Sequence, residues 1–591
     1  MAAIDTITLD NIAEKLPLWR PDDENHLYAV VDMGSNAIRF SITSLEPPRS
    51  RLMPPVYSAR APISLFDALT PSPEGDGLFF PESVVDKVAA AVSRFHHLAV
   101  LHSVAPSQIM VLATEAMRRA ANASAILDAI AKATGGLSVH LLDPPVETLL
   151  GAVMGSKSGL GDIPAGALFL DLGGGSVQMT WVDTRDPDYP IKAARAGKSL
   201  PYGAAKLIRI LEERPEAEAH EVRTSLADGF RDLYAQLCSC FPALAAIKAA
   251  YDGGDESRVV DVYMCGGGFR GYGSMLMHND PIQPYPIPTS TAYSVPGPRF
   301  KQTAHMLCVH QSYEGKIFEL SKRRRKQFPA IVAVVDAFIH AVPNIGWVTF
   351  CGGSNRQGAL MMRLPLEVRE SNPLEVLAGV AGGERPVFDA ILRQLRSSLP
   401  PDVDLSKIPS IFSLGLGSLF VREAWGRHGH DAESNSAFAV HRAISRDTDS
   451  PGLTHIARAA LGVGIAARWG GNLGPADAQL YKGLRAILEA RDPDAPFWVQ
   501  YLGGVAGVLA FLFPVMPMQD LEIARDVRFH SHLEQKDGKR GKIVLNISLA
   551  AQRAKGINLE DLADRIDSIA KNDDQKPLHK ILVHIDIQSQ Q

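Results

Sequence analysis

The sequence predicts a mixed α/β protein in which two lobes are built alike, followed by a helical domain and a small C-terminal α+β domain. The loop sequence D-M-G-S-N occupies residues 32–36, and a second loop, D-L-G-G-G-S, occupies residues 171–176. Each loop follows an apolar run and precedes another strand-like run, which is typical of a β-hairpin with Asp-x-Gly at its tip. A single loop of this kind often marks only a tight turn, so the repetition is what indicates two similar lobes.

Both loops have chemistry suited to phosphate groups. Glycine lets backbone N–H groups approach an anion, a following hydroxyl or amide adds a donor, and the leading carboxylate can hold a divalent cation. We therefore expect Asp32 and Asp171 to face one another and to share a metal ion, Mg²⁺. The phosphate-binding residues expected in the loops are Gly34, Ser35 and Asn36, and Gly173, Gly174, Gly175 and Ser176.

The composition is that of an ordinary soluble protein. Apolar residues make up 46% of the 591 residues and charged residues 21%. The net charge of −5 gives no basic field, so we expect no direct binding to nucleic acid. Five cysteines, an odd number over a long chain, favour a reducing compartment. The first residues contain acids and no continuous apolar core, so we expect no secretory signal and a cytoplasmic location.

One segment, residues 497–518, lacks formal charge and approaches the length of a bilayer span. It contains several glycines together with Pro514 and Pro517, and the prolines would break a helix. We therefore expect a buried helix and no membrane association.

Composition shifts divide the chain into five regions. They are an N-terminal extension with little structure (1–27), a first lobe (28–150), a second lobe (151–370), a helical domain (371–515) and a C-terminal α+β domain (516–591). Within the first lobe, residues 47–81 are rich in Pro, Gly and Ser and predict a loop insertion, and residues 81–101 predict a helix. The last region predicts strand, helix and strand at 543–547, 559–570 and 580–585.

Four segments resemble the Ppx/GppA (exopolyphosphatase and guanosine pentaphosphate phosphohydrolase) family of the actin, sugar-kinase and Hsp70 superfamily. They are the 32–36 loop, A-T-E-A-M-R-R-A at 113–120, G-G-G at 266–268 and G-S-N-R-Q-G-A-L at 353–360. The resemblance implies two actin-like, ribonuclease H-like lobes around a cleft. It places Gly266, Gly267 and Gly268 in a nucleotide-side loop and gives Arg118 a phosphate contact, with a surface salt bridge as the alternative for Arg118.

The same resemblance places Glu147 at the position of the catalytic base, where it could deprotonate an attacking water. A solvated acid at a helix N-terminus is the alternative, because two prolines precede it. Gln178 stands where the family usually has a glutamate, so Mg²⁺ binding and hydrolysis should be weakened. We count Gln178 among the phosphate- or nucleotide-binding residues.

The helical domain resembles the family's HD-like domain without its metal-binding dyad. Gly462 and Val463 stand where the His and the acid would be, and the isolated pair His430 and Asp431 lacks further ligands. This domain is therefore expected to serve interaction or dimerisation. The chain length, the loop D-L-G-G-G-S-V-Q at 171–178 and the stretch G-G-G-F-R-G-Y-G at 266–273 resemble the fungal retrograde regulation protein 2 group.

Two function classes follow from these observations. The first is a sensor of retrograde (mitochondria-to-nucleus) signalling that binds ATP, another nucleotide or polyphosphate with Mg²⁺ and acts on regulatory protein partners. The second is an active exopolyphosphatase or guanosine pentaphosphate phosphohydrolase. Intact loops beside a changed catalytic segment favour the first. The basic run at 322–326 is left open between a solvated helix face, a guide for polyanions and a nuclear-import signal.

Overall fold

The computed structural model describes residues 5–71, 77–427, 433–446, 450–535, 541–567 and 578–588. The chain divides into two compact units. The first comprises Met1–Asn279 and Thr289–Ser371, and the second comprises Asp280–Pro288 and Asn372–Gln591.

The first lobe of unit 1 is built on a six-stranded sheet. Its strands are β1 (Asp5–Ile7), β2 (Leu27–Met33), β3 (Ile38–Ser44), β4 (Pro55–Ala61), β7 (Ile109–Ala113) and β8 (Val139–Leu142), while β5 (Thr70–Pro71) and β6 (Leu78–Phe79) form a separate small hairpin. The spatial order is β1-β8-β7-β2-β3-β4. The strands β2, β3 and β4 are antiparallel, whereas β7, β8 and β1 continue the sheet in parallel.

The second lobe repeats this arrangement. Its strands are β9 (Ala167–Leu172), β10 (Val177–Val182), β11 (Lys198–Leu200), β12 (Val260–Cys265), β13 (Ser294–Pro296) and β14 (Ile345–Phe350), in the order β11-β10-β9-β12-β14-β13. An antiparallel β9-β10-β11 meander is followed by β12 and β14 in parallel, as β2-β3-β4 is followed by β7 and β8. The prediction of an α/β protein with two lobes built alike is confirmed.

Helices cover both sheets because right-handed crossovers between parallel strands require them. In the first lobe they are Ile12–Lys15, Leu65–Ala68, Glu82–Leu101, Glu115–Arg119, Ala123–Thr134 and Pro144–Glu147. In the second lobe they are Tyr189–Ala196, Ala204–Glu213, Glu216–Cys240, Pro242–Asp252, Gly266–His278, Gly297–Phe300, Thr303–Ser312, Lys322–Lys326, Phe328–Ala341, Asn355–Arg363 and Leu366–Arg369. A buried π-helix, Thr148–Gly155, continues Pro144–Glu147 and joins the lobes. Its side chains share one apolar core with residues of both lobes.

Two predictions about the first lobe are wrong. The N-terminal extension is not weakly structured, because β1 pairs in parallel with β8 and Lys15 forms an ion pair with Asp5 at 2.9 Å. The insertion at 47–81 is not only loop, because it contributes β4 to the sheet. Pro55 is the first residue of that strand, which lies at the edge of the sheet. Because a proline at this position needs no N–H group for pairing, it is compatible with a strand. The helix predicted from residue 81 is present as Glu82–Leu101, and Phe95 stacks on Phe40 of the sheet at 5.0 Å.

Unit 2 is helical and ends in a three-stranded sheet. Its helices are Pro373–Ala378, Arg385–Ser397, Gly417–Ala424, Glu433–Ser445, His455–Arg468, Pro475–Arg491, Ala495–Leu512, Asp520–Asp526, Ala551–Ala554 and Leu559–Asp567. The sheet order is β15 (Val527–Glu534), β16 (Lys542–Ala550), β17 (Lys580–Gln588). Strand β15 was not predicted, because its alternation of buried and exposed residues runs through two histidines, Arg528 and Glu534.

The charge-free segment forms the core of unit 2. Ala495–Leu512 is the one unbroken helix among the described residues that is long and apolar enough to cross a membrane, and 94% of that span is buried inside the protein. The prediction of a buried helix is confirmed. Gly462 lies in His455–Arg468, where an added Cβ would come within 2.7 Å of Leu484. The resemblance to an HD domain stays a prediction, and His430 and Asp431 lie outside the described residues.

Candidate functional site

The two Asp-Gly loops are four-residue connections of two equivalent hairpins. Met33 pairs with Ile38 across the first loop, and Leu172 pairs with Val177 across the second. The ladder then places Asp32 opposite Arg39 and Asp171 opposite Gln178. Because residues directly opposite in a ladder share one face of the sheet, each aspartate has one defined neighbour on its own side.

The carbonyl groups of the second loop are held by the start of helix Ala204–Glu213. The N–H groups of Gly203, Ala204 and Ala205 donate to the carbonyls of Gly175, Gly173 and Gly174, at 2.8, 3.1 and 2.9 Å. An added Cβ at Gly203 would come within 2.3 Å of the backbone of Gly174 and Gly175, so only glycine allows this contact. Within the described chain, the N–H groups of Gly174, Gly175 and Ser176 have no acceptor, so they are available to an anion.

The first loop is held in the same way by other partners. The Ser35 carbonyl accepts from the Phe66 N–H and from the Ser64 hydroxyl, both at 3.0 Å. The Asn36 carbonyl accepts from the Arg323 guanidinium of the second lobe at 3.2 Å. The N–H groups of Ser35 and Asn36 meet no acceptor in the ranges that the structure describes, so they can also bind an anion.

The two loops lie directly against one another. A Cβ at Gly174 would lie 2.8 Å from Asn36 Nδ2 and 2.9 Å from Ser35 Cβ, and a Cβ at Gly175 would overlap the Glu115 carboxylate. The glycines of the second loop therefore make room for side chains of the first lobe. The structure brings together the predicted loop residues of both lobes, and their roles in binding stay predictions.

The third glycine segment covers Asp171. Gly266 begins helix Gly266–His278 with φ = +84°, and an added Cβ would come within 2.1 Å of Asp171 Oδ1. A Cβ at Gly268 would lie 2.4 Å from the Leu172 side chain, whereas one at Gly267 would lie 3.6 Å from the Arg324 guanidinium. Two of the three glycines thus serve close packing, and Gly267 is the one next to a cationic group.

Asp32 and Asp171 influence one another electrostatically. Burial raises the pKa of Asp171 to about 6, Arg270 opposes this shift, and Asp32 adds to it. Burial also raises the pKa of Asp32, against the opposing charges of Arg356 and Arg39. The negative charge of Asp32 therefore acts on Asp171, as expected for two carboxylates of one site.

The residues present fit a Mg²⁺ ion held together with phosphate. Asp32 Oδ1 and Asn355 Oδ1 are buried acceptors that meet no hydrogen-bond donor among the described residues. Nowhere in the described chain do three or more His, Cys, Asp and Glu side chains form a metal cluster. Mg²⁺ commonly takes one or two carboxylates and completes its shell with water and substrate phosphates, so Asp32 and Asp171 would be its protein ligands.

Four arginines surround the two aspartates. The neighbouring charges of Arg270, Arg356 and Arg324, after burial itself, hold the pKa of Arg39 down at about 9. Burial and the charge of Arg270 likewise lower the pKa values of Arg324, to about 10, and Arg356. Mutual repulsion among buried guanidinium groups is relieved when a polyanion binds, so this set matches a ligand with several phosphate charges.

Glu147 and Arg118 form an ion pair at the start of the π-helix. Arg118 Nη2 lies 2.9 Å from Glu147 Oε2, and Arg118 Nη1 donates to the Leu142 carbonyl at 2.5 Å. Burial raises the pKa of Glu147 to about 7, Arg118 opposes the shift, and Asp171 and Glu115 add to it. Glu147 is therefore not a solvated helix-terminal acid, and Arg118 is a partly buried residue that orients its carboxylate. The phosphate contact of Arg118 stays a prediction.

Gln178 is buried on β10, with 2% of its surface exposed. Its Nε2 donates to Ser176 Oγ at 2.9 Å and to Ser199 Oγ at 3.2 Å. The amide thus orients the hydroxyl of the second loop, and the ladder sets it opposite Asp171. Gln178 therefore supports the second loop from the neighbouring strand.

The basic run forms the helix Lys322–Lys326 and divides into two parts. Arg323 donates to Ser64 Oγ at 2.7 Å and pairs with Asp67 at 2.6 Å, both in the first lobe, and Arg324 lies beside Gly267. Arg325 instead donates to the carbonyls of Gly315 and Tyr313. A fully solvated face is wrong for Arg323 and Arg324, which lie at the phosphate loops.

Reasoning from the sequence missed several residues of this site. They are the arginines Arg39, Arg270 and Arg356, together with Glu115 and Asn355, whereas Arg324 belongs to the basic run for which a guide for polyanions was one alternative. Glu115 belongs to the segment 113–120 and Arg356 to the segment 353–360, so membership of these motifs was the available signal. The arginines are scattered over more than three hundred residues, and only the fold collects them.

Two family models match the chain. The model of the Ppx/GppA phosphatase family matches residues 48–226, and that of the RTG2 C-terminal domain matches residues 372–589. Retrograde regulation protein 2 of Saccharomyces cerevisiae is 29% identical over 506 residues, which are 83% of this chain and 81% of that protein. Exopolyphosphatase 1 of Mycobacterium bovis is 23% identical over 373 residues, 60% of this chain and 94% of that protein.

Solved structures of low identity match just over half of the chain. The Aquifex aeolicus PPX-GPPA enzyme is 18% identical and matches 56% of this chain and 98% of its own, with a TM-score of 0.41. An exopolyphosphatase from Cytophaga hutchinsonii is also 18% identical and matches 57% of this chain and 99% of its own, with a TM-score of 0.42.

Proposed function

We propose that this chain, which belongs to the Ppx/GppA phosphatase family and carries an RTG2 C-terminal domain, is a phosphate-sensing regulator of the retrograde type. It binds the phosphate groups of a nucleotide such as ATP, or of polyphosphate, together with Mg²⁺ between the lobes of unit 1. Hydrolysis is weak or absent. Its similarity to retrograde regulation protein 2 supports the regulatory part of this proposal.

The observation that carries the proposal is the set of unused hydrogen-bonding groups where the two loops meet. The carbonyl groups of both loops already accept hydrogen bonds from neighbouring residues. The N–H groups of Ser35, Asn36, Gly174 and Gly175 find no acceptor among the residues described. Four arginines and two aspartates of the same two lobes interact electrostatically with one another. Amide donors, cations and a carboxylate-bound metal are the groups that together hold phosphoanhydrides.

Isothermal titration of the full chain against ATP, GTP, ppGpp and polyphosphate, with and without Mg²⁺, tests this function. We expect at least one of these ligands to bind, and Mg²⁺ to strengthen its binding. The variant Asp186→Asn is a suitable control, since Asp186 forms an exposed ion pair with Lys192 in the same lobe. Absence of binding by all four ligands contradicts the proposal.

Phosphoanhydride hydrolysis is the second candidate, and the pKa of Glu147 near 7 favours it. A buried carboxylate that titrates near neutral pH is suited to general-base catalysis, and the negative charge of Asp171 contributes to the raised pKa of Glu147. If Glu147 is the base, Glu147→Gln abolishes phosphate release and preserves ligand affinity, because the base acts on water. Release at an ordinary enzymic rate, on the order of ten per second, contradicts the sensor and supports the enzyme.

The substitution Gln178→Glu connects the two candidates. Ser176 and Ser199 can turn their hydroxyls to donate to a carboxylate, so the fold tolerates the change. The added charge opposite Asp171 should tighten Mg²⁺ and raise phosphate release. Gln236→Glu, on helix Glu216–Cys240, adds the same charge elsewhere in the lobe and should change neither.

The remaining parts of the proposal concern partners and place. We propose that ligand-dependent closure of the lobes changes the affinity for regulatory protein partners, in the cytoplasm, and that the helical domain supplies an interaction or homodimer surface. Comparison of partner affinity with and without saturating ligand tests this coupling, and equal affinities contradict it.

A further inference from the structure

The helical part of unit 2 contains a cavity of about 250 Å³. It lies among the helices Gly417–Ala424, Glu433–Ser445 and His455–Arg468. Ala439, Leu461, Ile465 and Trp469 form its apolar wall. At about 30 Å³ for each water molecule, the cavity has room for roughly eight waters, or for one small organic molecule.

The charged lining of this cavity is mostly cationic. Three guanidinium groups, those of Arg422, Arg427 and Arg442, face one carboxylate, that of Glu423. Glu423 is already paired with Arg442 at 2.7 Å and with Arg446 at 2.5 Å. Arg422 is paired with Glu384 at 2.7 Å, outside the cavity lining.

Arg427, an exposed residue, is the arginine of this lining that pairs with no carboxylate among the residues that the structure describes. Its Nε donates to Asn435 Oδ1 at 2.6 Å, and its Cζ lies 4.2 Å from the ring centroid of Phe438. Its two terminal amino groups have no acceptor among the residues that the structure describes. A guanidinium that is oriented by one hydrogen bond and one ring, with its paired donors free, is prepared for a planar oxyanion.

We propose that this cavity is a binding site for a small organic oxyanion, a carboxylate or a phosphate attached to an apolar body. The oxyanion accepts from the terminal amino groups of Arg427, and the apolar body packs against Phe438, Leu461 and Trp469. The site uses no residue of the phosphate loops. It therefore gives the RTG2 C-terminal domain a ligand of its own, separate from the ligand proposed for unit 1.

Isothermal titration of the full chain with three probes of similar shape tests the proposal. Phenylacetate and phenyl phosphate carry the two oxyanions, benzylamine carries a cation, and EDTA keeps metal out of the lobes. We expect at least one anion to bind and benzylamine not to bind. Which anion binds more tightly identifies the carboxylate or the phosphate as the preferred group.

Substitutions assign the binding to this cavity. Arg427→Gln should weaken binding of the anion on the order of tenfold, because the substitution removes a charge-assisted contact. Phe438→Leu, which keeps an apolar side chain but removes the ring, should weaken it less. Arg396→Gln is the matched control, since Arg396 lies 4.8 Å above the Phe412 ring but outside the cavity.

Several results would overturn this site. They are the absence of binding by both anions at millimolar concentration, binding of benzylamine as tight as that of the anions, and equal effects of Arg427→Gln and Arg396→Gln. Phenyl phosphate that still binds fully to Arg427→Gln occupies another site, such as the loops of unit 1, and also overturns the assignment. None of these results bears on the binding of polyphosphate or nucleotide with Mg²⁺.

Discussion

The two Asp-Gly hairpins have the same topology but place different chemistry beside their aspartates. Opposite Asp32 stands the cation Arg39, and opposite Asp171 stands the neutral amide of Gln178. The first loop carries the side chains of Ser35 and Asn36, whereas the second begins with three glycines that leave room for them. Beside its aspartate, the first hairpin therefore supplies side-chain donors and a positive charge, and the second supplies space and a neutral amide. The duplicated fold makes one composite site.

The loops also differ in what holds them. The second loop is tied by helix Ala204–Glu213 of its own lobe, so it keeps its shape without help from the first lobe. The first loop is held at the Ser35 carbonyl by Phe66 and Ser64 of its own lobe, but at the Asn36 carbonyl by Arg323 of the second lobe. This difference suggests that the second loop is preformed and that the first is completed when the lobes meet.

The largest effect is expected where the second loop has no room to adjust. Gly203→Ala places a Cβ within 2.3 Å of loop backbone, and relieving that overlap must displace the amides of Gly174 and Gly175. We expect ligand affinity to fall roughly ten- to hundredfold. Gly161→Ala, which lies outside both loops and whose Cβ would meet no described atom within 4 Å, is the matched control. Isothermal titration of the two variants measures the difference, and equal affinities would show that the loop is not preformed.

A smaller effect is expected from pH, because the pKa of Asp171 is raised to about 6. Only the deprotonated carboxylate binds Mg²⁺, so metal-dependent affinity should fall about tenfold from pH 7 to pH 5. The stability of the ligand-free fold should depend on pH in the opposite direction from ligand affinity. A raised folded-state pKa stabilises the fold below the unfolded value near 4, and this contribution is lost as the pH rises through 6.

Repeating the pH titration with Glu147→Gln removes the other carboxylate that titrates near neutral pH. The loss of affinity at low pH should persist in this variant. Affinity that no longer depends on pH would show that protonation of Glu147, and not of Asp171, weakens ligand binding at low pH.

The smallest effect is expected at the contact between the lobes. Arg323→Gln removes the ion pair with Asp67 and the donor to Asn36, so the first loop should be less ordered before ligand binds. We expect affinity to fall about three- to fivefold, because Asp67 is half-exposed and keeps its second partner, Arg209. Arg325→Gln, two positions along the same helix, should leave affinity unchanged. Hydrogen exchange of residues 34–37 in the two variants shows whether the loop has loosened.

The sequence predicted those structural elements that depend on short local patterns. The two loops, the helix Glu82–Leu101 and the buried helix Ala495–Leu512 each follow from spacing within a few turns or strands. Strand β1 has three residues and depends on β8, more than a hundred positions away, so no local pattern could indicate it. For the same reason Arg39, Arg270, Arg324 and Arg356 show no relation in sequence, although the fold gathers them around the aspartates.

The most direct test of the composite site is a double-mutant cycle between Asp32→Asn and Asp171→Asn, with Mg²⁺-dependent ligand affinity measured by titration. If both aspartates hold one metal–phosphate centre, each single variant should lose affinity on the order of a hundredfold, and the double variant should lose little more. Unchanged affinity in either single variant, or losses that multiply in the double variant, would contradict a single centre formed by both loops.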